Sequence, residues 1–583
     1  MSINNRTTNI IVVSLLSLMF LQAFFSMIGD SNTMDELAHT PAGYSYLSQK
    51  DFRINPEHPP LIKDIAALPL LFLNLDFPKD HPSWTDEVNS QWWLGNEFLF
   101  KSGNDPDQIV FWARIPMILI LLLLGWFLFK FTKDFFDKET ALLVLAIFAF
   151  SPTFLAHGRL VTTDIGASLG VIVATYFWLR FLEKPDRKNI ILAGIFFGFA
   201  LLLKFSLVLL IPFFAIITLT KILLSEKKDR LKLSLKYLGS ASVAGLIALI
   251  FIIWPVYQFH VLNYPPQRQL SDTIDILESS PMGSLKDLCI WMSDKPGIRA
   301  IGHYFLGLLM ATQRTASGNT VYFMGMVTAS SWRYYFPVVY FLKVPLAFHI
   351  LTLLVLLIGI SRIKKSFWTR TKEWIRSHFV EFSMIIFLCI YWAASIMGNL
   401  NIGVRHVLPT FPFIYILVSL GTIRIARSIK KEPFKKAFIA ILAVLFLWYL
   451  WSSLSCFPYY LSYFNELGGG TRGGYKYVVD SNFDWGQDLK RLKKYVEDEK
   501  IDKIKVDYFG GSDVEYYLGD KFERFDPKSG PQKGWIAISA TLLQGGRGEP
   551  IKGFDGPTGY YDWLDRYEPK ARAGTSIFIY YIE

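Results

Sequence analysis

The stretch Asp30–Leu61, DSNTMDELAHTPAGYSYLSQKDFRINPEHPPL, follows the first long apolar run of the chain and carries Asp35-Glu36, His39, Glu57-His58 and the pair Pro59-Pro60. Most of the 583 residues around it are greasy: 52% are hydrophobic. A hydrocarbon surface does no acid–base chemistry, so a loop dense in carboxylates and histidines at the mouth of an apolar bundle is where chemistry would sit. Adjacent carboxylates beside an apolar wall resist ionising together, which would leave one of Asp35 and Glu36 as a general base; the alternative is ordinary loop charge. The two prolines fix the backbone after Glu57-His58 and launch an apolar segment, Ile65–Leu75, that is too short to span and reads as a helix lying on the membrane.

Working outward, the sequence shows eleven apolar runs long enough to read as membrane spans: Asn9–Gly29, Ile109–Phe131, Ala141–Ala156, Ile165–Leu182, Ile190–Leu203, Leu207–Leu224, Tyr237–Val256, Pro337–Ile360, Glu381–Met397, Val407–Leu420 and Ala437–Leu454. Broken or re-entrant helices would bring the count to between 11 and 13. The first run reads as an uncleaved signal anchor, with only Arg6 ahead of it and no small-residue cleavage site behind it. The net charge of +11 is spread over short inter-helix segments around Lys130–Lys138, Lys184–Lys188, 226–232 (EKKDRLK), 361–377 and Arg424–Lys436. All of these fall on one side when sides are alternated. The positive-inside rule then puts that side and the N-terminus in the cytoplasm, with both large polar loops, 30–108 and 258–336, and the C-terminal tail outside. The same scattering argues against nucleic acid as a partner, which would need one basic face.

Composition changes near Phe457. The tail, 457–583, mixes a helix over Asp484–Lys500 with strands over Ile504–Tyr508, Trp535–Ser539 and Ser576–Ile582, a small extracytoplasmic α/β domain beside a mainly α transmembrane domain, 1–456. The glycine cluster ELGGGTRGGY at 466–475 lacks the phosphate-loop pattern and reads as a flexible linker. Cys289, Cys389 and Cys456 form no framework; a Cys289–Cys456 bridge is open if both lie outside.

Other ionisable residues lie at the outer ends of the spans. Arg159 and Asp164 belong to the turn HGRLVTTD, 157–164. Ionisable groups at that depth are costly unless paired or functional, so either they pair with each other or they serve a site. Lys204 interrupts two apolar runs and would hold a lipid phosphate or snorkel to the interface. Arg333 and Arg405 suit bidentate phosphate binding, and His58 and Arg159 join them as candidate phosphate contacts. Glu57 and His303 are the residues for a divalent metal, if one is used; His39 and His58 lack a strong ligand spacing.

These motifs, in this order, resemble the GT-C glycosyltransferases, and most nearly the branch of protein O-mannosyltransferases and lipid A aminoarabinose transferases. The resemblance rests on DE in the first outer loop, EHPPL, HGRLVTTD, SWRYYFPVVYFLKVPL (331–346), NIGVRHVLPTFPF (401–413) and YFNELGGG…DSNFDWGQDL (463–489). It implies a polytopic GT-C bundle that moves a sugar, mannose for instance, with inversion, from a polyprenyl-phosphate donor to an acceptor protein, lipid or glycan outside the cytoplasm. Carried over, Asp35 would be the base and Glu36 would orient it or the acceptor. Asp164 would stand near the donor phosphate or a metal, and Lys204 with a later arginine would hold the leaving phosphate. His58 departs from the lysine that many members carry before the two prolines. A histidine near neutral pH is only partly charged, so a phosphate contact there is weakened. The rival class is a transporter or flippase of lipid-linked saccharides, which would place its ionisable groups near the bilayer midplane rather than in large outer loops.

Overall fold

The computed structural model describes residues 4–361, 371–551 and 553–583. Residues 362–370, the heart of the basic stretch 361–377, therefore lie outside the described residues. Each of the eleven apolar runs is helical. Eight helices among the described residues are long and apolar enough to cross a membrane: Asn5–Met27, Pro106–Phe135, Thr163–Glu183, Phe205–Leu223, Lys227–His260, Phe379–Met397, Val404–Ser428 and Glu432–Leu454. The other three runs are shortened for local reasons. Tyr335–Lys343 and Leu346–Ser361 meet at 112° across Pro345, which removes an amide donor and forces Val344 into extended backbone. Lys138–Ala149 stops before Ser151-Pro152, and Arg187–Leu201 has only 15 residues.

The bundle is a multi-pass membrane protein with a clear inside and outside. Thr163–Glu183 is the central helix, with 89% of its apolar window buried, whereas Lys227–His260 buries only 17%. The outer helices turn Leu231, Leu235, Phe251, Val444, Leu447 and Trp451 outward. Such a belt of exposed large apolar side chains fits acyl chains and would aggregate in water.

The first outer segment folds back onto the bundle. Helix Met34–Ser48 packs on the short helix Leu61–Ala67 at Gly43, where a Cβ would lie 2.2 Å from the carbonyl oxygen of Lys63. The chain continues through a 3-10 turn whose Leu68, Leu71 and Phe72 are exposed, the apolar edge expected of an interfacial helix. The second outer segment holds helices Pro266–Leu277, Gly283–Met292 and Arg299–Ser317 and a hairpin, Val321–Phe323 against Met326–Thr328. That hairpin turns at Met324-Gly325, both with positive φ, and its second strand pairs in parallel with Glu549–Pro550 of the tail.

The tail holds a five-stranded sheet in the spatial order Phe522–Glu523, Ile504–Asp507, Gly534–Ser539, Ile577–Ile582, Ala571–Ala573. The first three strands run parallel and the last two are antiparallel to their neighbours. Helix Leu489–Asp498 buries Leu489, Leu492 and Val496, a heptad-like stripe against the sheet side of the tail. The glycine cluster is not a linker. Gly474 lies under the Phe464 ring, where a Cβ would come within 2.1 Å, and the Asn465 amide donates to the Phe341 and Val344 carbonyls. Hydrophobic packing runs without a break from the bundle into the tail, so the change at Phe457 is one of composition rather than of core. The three cysteines are free, and Cys289 and Cys456 are each buried without a bridge.

Candidate functional site

A cavity of about 610 Å³ opens between the first outer segment, the ends of the central helices and helix Arg299–Ser317. Asp35 reaches its wall because Thr33 starts helix Met34–Ser48, leaving Asp35 in the first turn, where the amide dipoles favour negative charge. Asp164 occupies the equivalent first turn of Thr163–Glu183. Between the two carboxylates stands Arg405: its Nη1 donates to Asp35 Oδ2 at 2.5 Å and lies 3.6 Å from Asp164 Oδ2. Lys204 Nζ donates to Asp164 Oδ1 at 2.5 Å. The result is an alternating chain, Asp35–Arg405–Asp164–Lys204, in which Asp35, Arg405 and Lys204 line the cavity and the fully buried Asp164 pairs with both cations from behind.

Burial opposes ionisation of Asp35, but Arg405, with His39, outweighs it and holds the carboxyl below its usual range. Asp35 is thus a carboxylate whose negative charge is shared with the Arg405 guanidinium. Its neighbour Glu36 faces the other way and is 0% exposed. It accepts from Arg114 Nε and Nη2 at 2.8 and 2.6 Å, from the Thr33 amide and hydroxyl, and from the Val161 amide. With both oxygens saturated, Glu36 has no lone pair left for an acceptor.

Arg159 belongs with Glu36 rather than with the cavity. It pairs with Asp30 at 2.5 Å instead of with Asp164, and Asp30 also takes Arg491 at 2.8 Å. Arg333 is exposed and lines no part of the cavity; the arginine supplied by the second outer segment is Arg314. His58 lines the cavity edge-on to His39, with ring centroids 5.0 Å apart. Burial first, then the charge of His39, Lys63, Lys204 and Arg314, keeps its pKa well below the ordinary histidine value. His58 is therefore a neutral donor–acceptor and not a counter-charge for phosphate.

Glu57 and His303 do not come together. Glu57 lines the cavity and accepts from the amides of Gln91 at 2.6 Å and Asn89 at 3.4 Å. His303 is buried against Phe52, with ring centroids 4.7 Å apart, and burial pushes its pKa down to about 3. Among the described residues no group of three or more His, Cys, Asp or Glu side chains is placed to hold a metal. The donor set suggested by Glu57 and His303 does not fit a divalent ion.

Four residues at or behind the cavity carry weight that the sequence did not reveal. Arg314 shares a helix face with Leu308, Ala311 and Thr315, an i, i+3, i+7 stripe that marks which side of Arg299–Ser317 looks inward. Tyr391 lines the cavity and donates to the Ser206 hydroxyl at 3.1 Å. Lys63, fully buried, donates to the Tyr46 hydroxyl, the Asn55 side chain and the Asn55 and His58 carbonyls, which locks the turn before Pro59-Pro60. Burial draws its pKa down to about 7. Trp485 of the tail lies under Arg405, the guanidinium carbon 4.3 Å from the ring centroid. Only Trp485 lies within a quoted motif, DSNFDWGQDL.

The cavity lining is amphipathic. Val208, Leu209, Leu308, Ala311, Ala394 and the 82% exposed Met397 add apolar surface to the same cavity as the charged groups. Charge and grease in one cavity suit an amphiphile with an anionic head.

Comparison with known proteins gives the same class of fold. Residues 108–254 match the family model described as dolichyl-phosphate-mannose-protein mannosyltransferase. The Pmt1-Pmt2 protein O-mannosyltransferase complex of S. cerevisiae, solved with its sugar donor, has a similar structure: TM-score 0.55 at 10% identity, covering 79% of this chain and 90% of that one. ArnT from Cupriavidus metallidurans, solved with undecaprenyl phosphate, aligns over 98% of this chain and 97% of its own at 11% identity and TM-score 0.47. The archaeal oligosaccharyltransferase AglB from Archaeoglobus fulgidus, with an inhibitory peptide and a dolichol-phosphate, aligns over 97% of this chain and 74% of its own at 11% identity and TM-score 0.47. No curated protein sequence matches the chain. The fold is of the GT-C glycosyltransferase type.

Proposed function

We propose that the chain is a membrane glycosyltransferase that moves a sugar from a polyprenyl-phosphate donor to an acceptor hydroxyl on the extracytoplasmic side. The observation that carries this reading is the alternating chain Asp35–Arg405–Asp164–Lys204, three members of which line a cavity that also has apolar lining. The donor's isoprenoid would lie against Val208, Leu209, Leu308 and Met397, with its phosphate toward Lys204, Arg314 and Arg405. Those three cations neutralise the charge that develops on the leaving phosphate, which is where fixed donors lower a barrier most.

The chemistry is a single displacement. The acceptor oxygen forms a bond to the anomeric carbon as the bond from that carbon to the phosphate oxygen breaks. The hydroxyl proton passes to Asp35, and the electron pair leaves on the phosphate. Attack opposite the leaving group inverts the anomeric centre. As phosphate draws Arg405 toward itself, the cation loosens from Asp35 and the carboxylate regains basicity at the moment a base is needed. Asp164, paired with Lys204 and Arg405, keeps both cations aimed into the cavity. The acceptor is a hydroxyl of a protein, lipid or glycan, and mannose is the first sugar to test because the matched family is named for it.

The test is transfer of radiolabelled sugar from a panel of polyprenyl-phosphate donors in membranes holding wild type or Asp35→Asn at equal expression. Transfer by wild type and its loss in Asp35→Asn is the expected result. Full activity of Asp35→Asn would remove Asp35 as the base. No transfer from any donor, with labelled lipid crossing the bilayer, would replace the enzyme by a flippase.

A further inference from the structure

We propose that the tail segment 481–487 is a clamp that sets the Asp35–Arg405 geometry, with Trp485 as its central positioning residue. The inference rests on the glycosyltransferase reading for its kinetic consequence but not for its geometry.

The segment SNFDWGQ is bonded to both halves of the site at once. On the Arg405 side, Asn482 Oδ1 accepts the Val404 amide at 2.9 Å and the Ser481 hydroxyl donates to the Ile402 carbonyl at 2.5 Å. On the Asp35 side, the Trp485 carbonyl accepts the Met34 amide at 3.0 Å, and the Gln487 carbonyl accepts the Ser31 amide at 2.9 Å. The Ser31 hydroxyl donates back to the Gly486 carbonyl at 3.1 Å. Trp485 does both jobs in one residue. Its carbonyl takes an otherwise unpaired amide of the first turn next to Asp35, and its ring carries Arg405.

The clamp is itself rigid. Lys343 Nζ donates to the Asn482 and Leu461 carbonyls at 2.7 and 2.8 Å. Asn482 Nδ2 donates to the Tyr335 hydroxyl, and the Gln487 side chain closes onto Phe483 and Trp485. Trp485 is 1% exposed and is the largest fully buried side chain among the described residues. Gly486 takes a φ of +96° with its Cα against Gly510, so the turn after the tryptophan tolerates no side chain. A tail that only decorated the enzyme would not place a buried tryptophan ring under an arginine of the cavity wall.

The groups that face Asp35 are Arg405, His39, Asp164 and the tail's Asp480. Removing the ring frees Arg405 from its shelf and weakens its hold on Asp35. The base then titrates higher and spends less time aligned, while the isoprenoid groove, which touches none of the clamp, is left alone.

The experiment uses the full chain in membranes and compares wild type, Trp485→Ala and Trp485→Phe. With polyprenyl-phosphate-linked mannose as donor, Trp485→Ala is expected to lower kcat by about 30-fold or more while KM for the donor moves less than about threefold. Its acidic limb of kcat/KM should shift upward by about one pH unit. Trp485→Phe, which keeps a ring under the guanidinium, should restore kcat to within about fivefold and return the wild-type pH profile. A kcat and pH profile of Trp485→Ala equal to wild type would overturn the clamp. So would a loss that raises KM alone. Thermal melting of Trp485→Ala, Arg405→Ala and the double variant gives a readout that needs no activity: the double variant should lose less than the sum of the singles. If wild type transfers nothing from any donor, the glycosyltransferase reading fails, and the melting cycle alone decides the clamp, additive losses counting against it.

Discussion

Asp35 and Glu36 are adjacent in the chain and live in different electrostatic worlds. Glu36 belongs to a sealed network in which Arg114, Asp30, Arg159, Arg491 and Asp488 alternate in charge, and its own two oxygens are filled. Asp35 belongs to an open chain along the cavity, has a 19% exposed side chain, and leaves one oxygen without a protein donor. The two networks contain the same residue types at similar distances. They differ in what is left unsatisfied. A saturated carboxylate fixes a structure, whereas a carboxylate held by one cation that also faces a cavity can exchange that cation for a proton.

The comparison can be broken at either end. The largest expected effect is on the open chain: Asp35→Asn should cut transfer by about 10²–10⁴-fold with normal expression and melting, measured as label incorporated per folded protein. An unchanged rate would erase the distinction. Lys204→Gln should lose about 10²-fold in kcat, since one cation of the leaving-group end is gone, and replacing it by arginine should recover part of that in the same assay. At the sealed end the effect should be on folding. Glu36→Gln leaves Arg114 buried without its counter-charge, at a cost of about 3–5 kcal/mol, visible as a depressed melting temperature and low yield. Any Glu36→Gln protein that does fold should retain a substantial fraction of wild-type turnover; a folded but dead variant would move Glu36 into the chemistry. A smaller contrast separates two arginines of the second outer segment. Arg314→Ala should raise donor KM by about tenfold, and Arg333→Ala should stay within about twofold. The smallest expected effect is that of pH. Asp35 is held below its usual range against its burial, chiefly by Arg405, and burial keeps His39 and His58 below theirs, so any limb from these groups falls to the acid side of the ordinary carboxylate and histidine values. The rate profile should be flat above neutral pH. Burial lifts Asp480 to about 6, so a limb near that pH that vanishes in Asp480→Asn would transfer the base role to the tail.

The pH dependence of stability follows from the sealed network. Burial opposes ionisation of Asp30 and Glu36, but Arg159, Arg491 and Arg114 overcome it, so both folded pKa values lie below the unfolded ones. Their contribution is fully present above the unfolded value near 4 and is lost as pH falls through the folded values, which places acid unfolding below about pH 4.

Much of this was legible in one dimension. The apolar runs marked all eight membrane-length helices among the described residues because hydrocarbon burial leaves a signature about 20 residues long whatever the helix packs against. Three of the five sheet strands of the tail were legible in β-branched and aromatic runs such as Ile577–Ile582, whereas the short edge strands Phe522–Glu523 and Ala571–Ala573 were not. Asp35, Asp164, Lys204, Arg405, His58 and Glu57 could be picked out because ionisable residues at the ends of greasy helices are costly and need a reason. What the sequence could not supply was partnership. Arg159 stands five residues from Asp164 yet binds Asp30, while Asp164 binds Lys204. Arg333 and Arg314 are equally basic in sequence, and only the packing of Arg299–Ser317 turns the second toward the cavity. Glu36 and Asp35 are one residue apart, and the 100° step of a helix sends one into a dry core and the other to a cavity wall. The glycine-rich segment reads as slack chain until the Phe464 ring is seen resting on Gly474. By itself the sequence determined the bundle and a short roster of chemically capable residues, since those follow from hydrophobicity and charge, which are local. The tertiary structure alone decided which of them share a cavity, because ion pairing depends on distances of a few ångströms between segments as far apart as Asp35, Arg405 and Trp485.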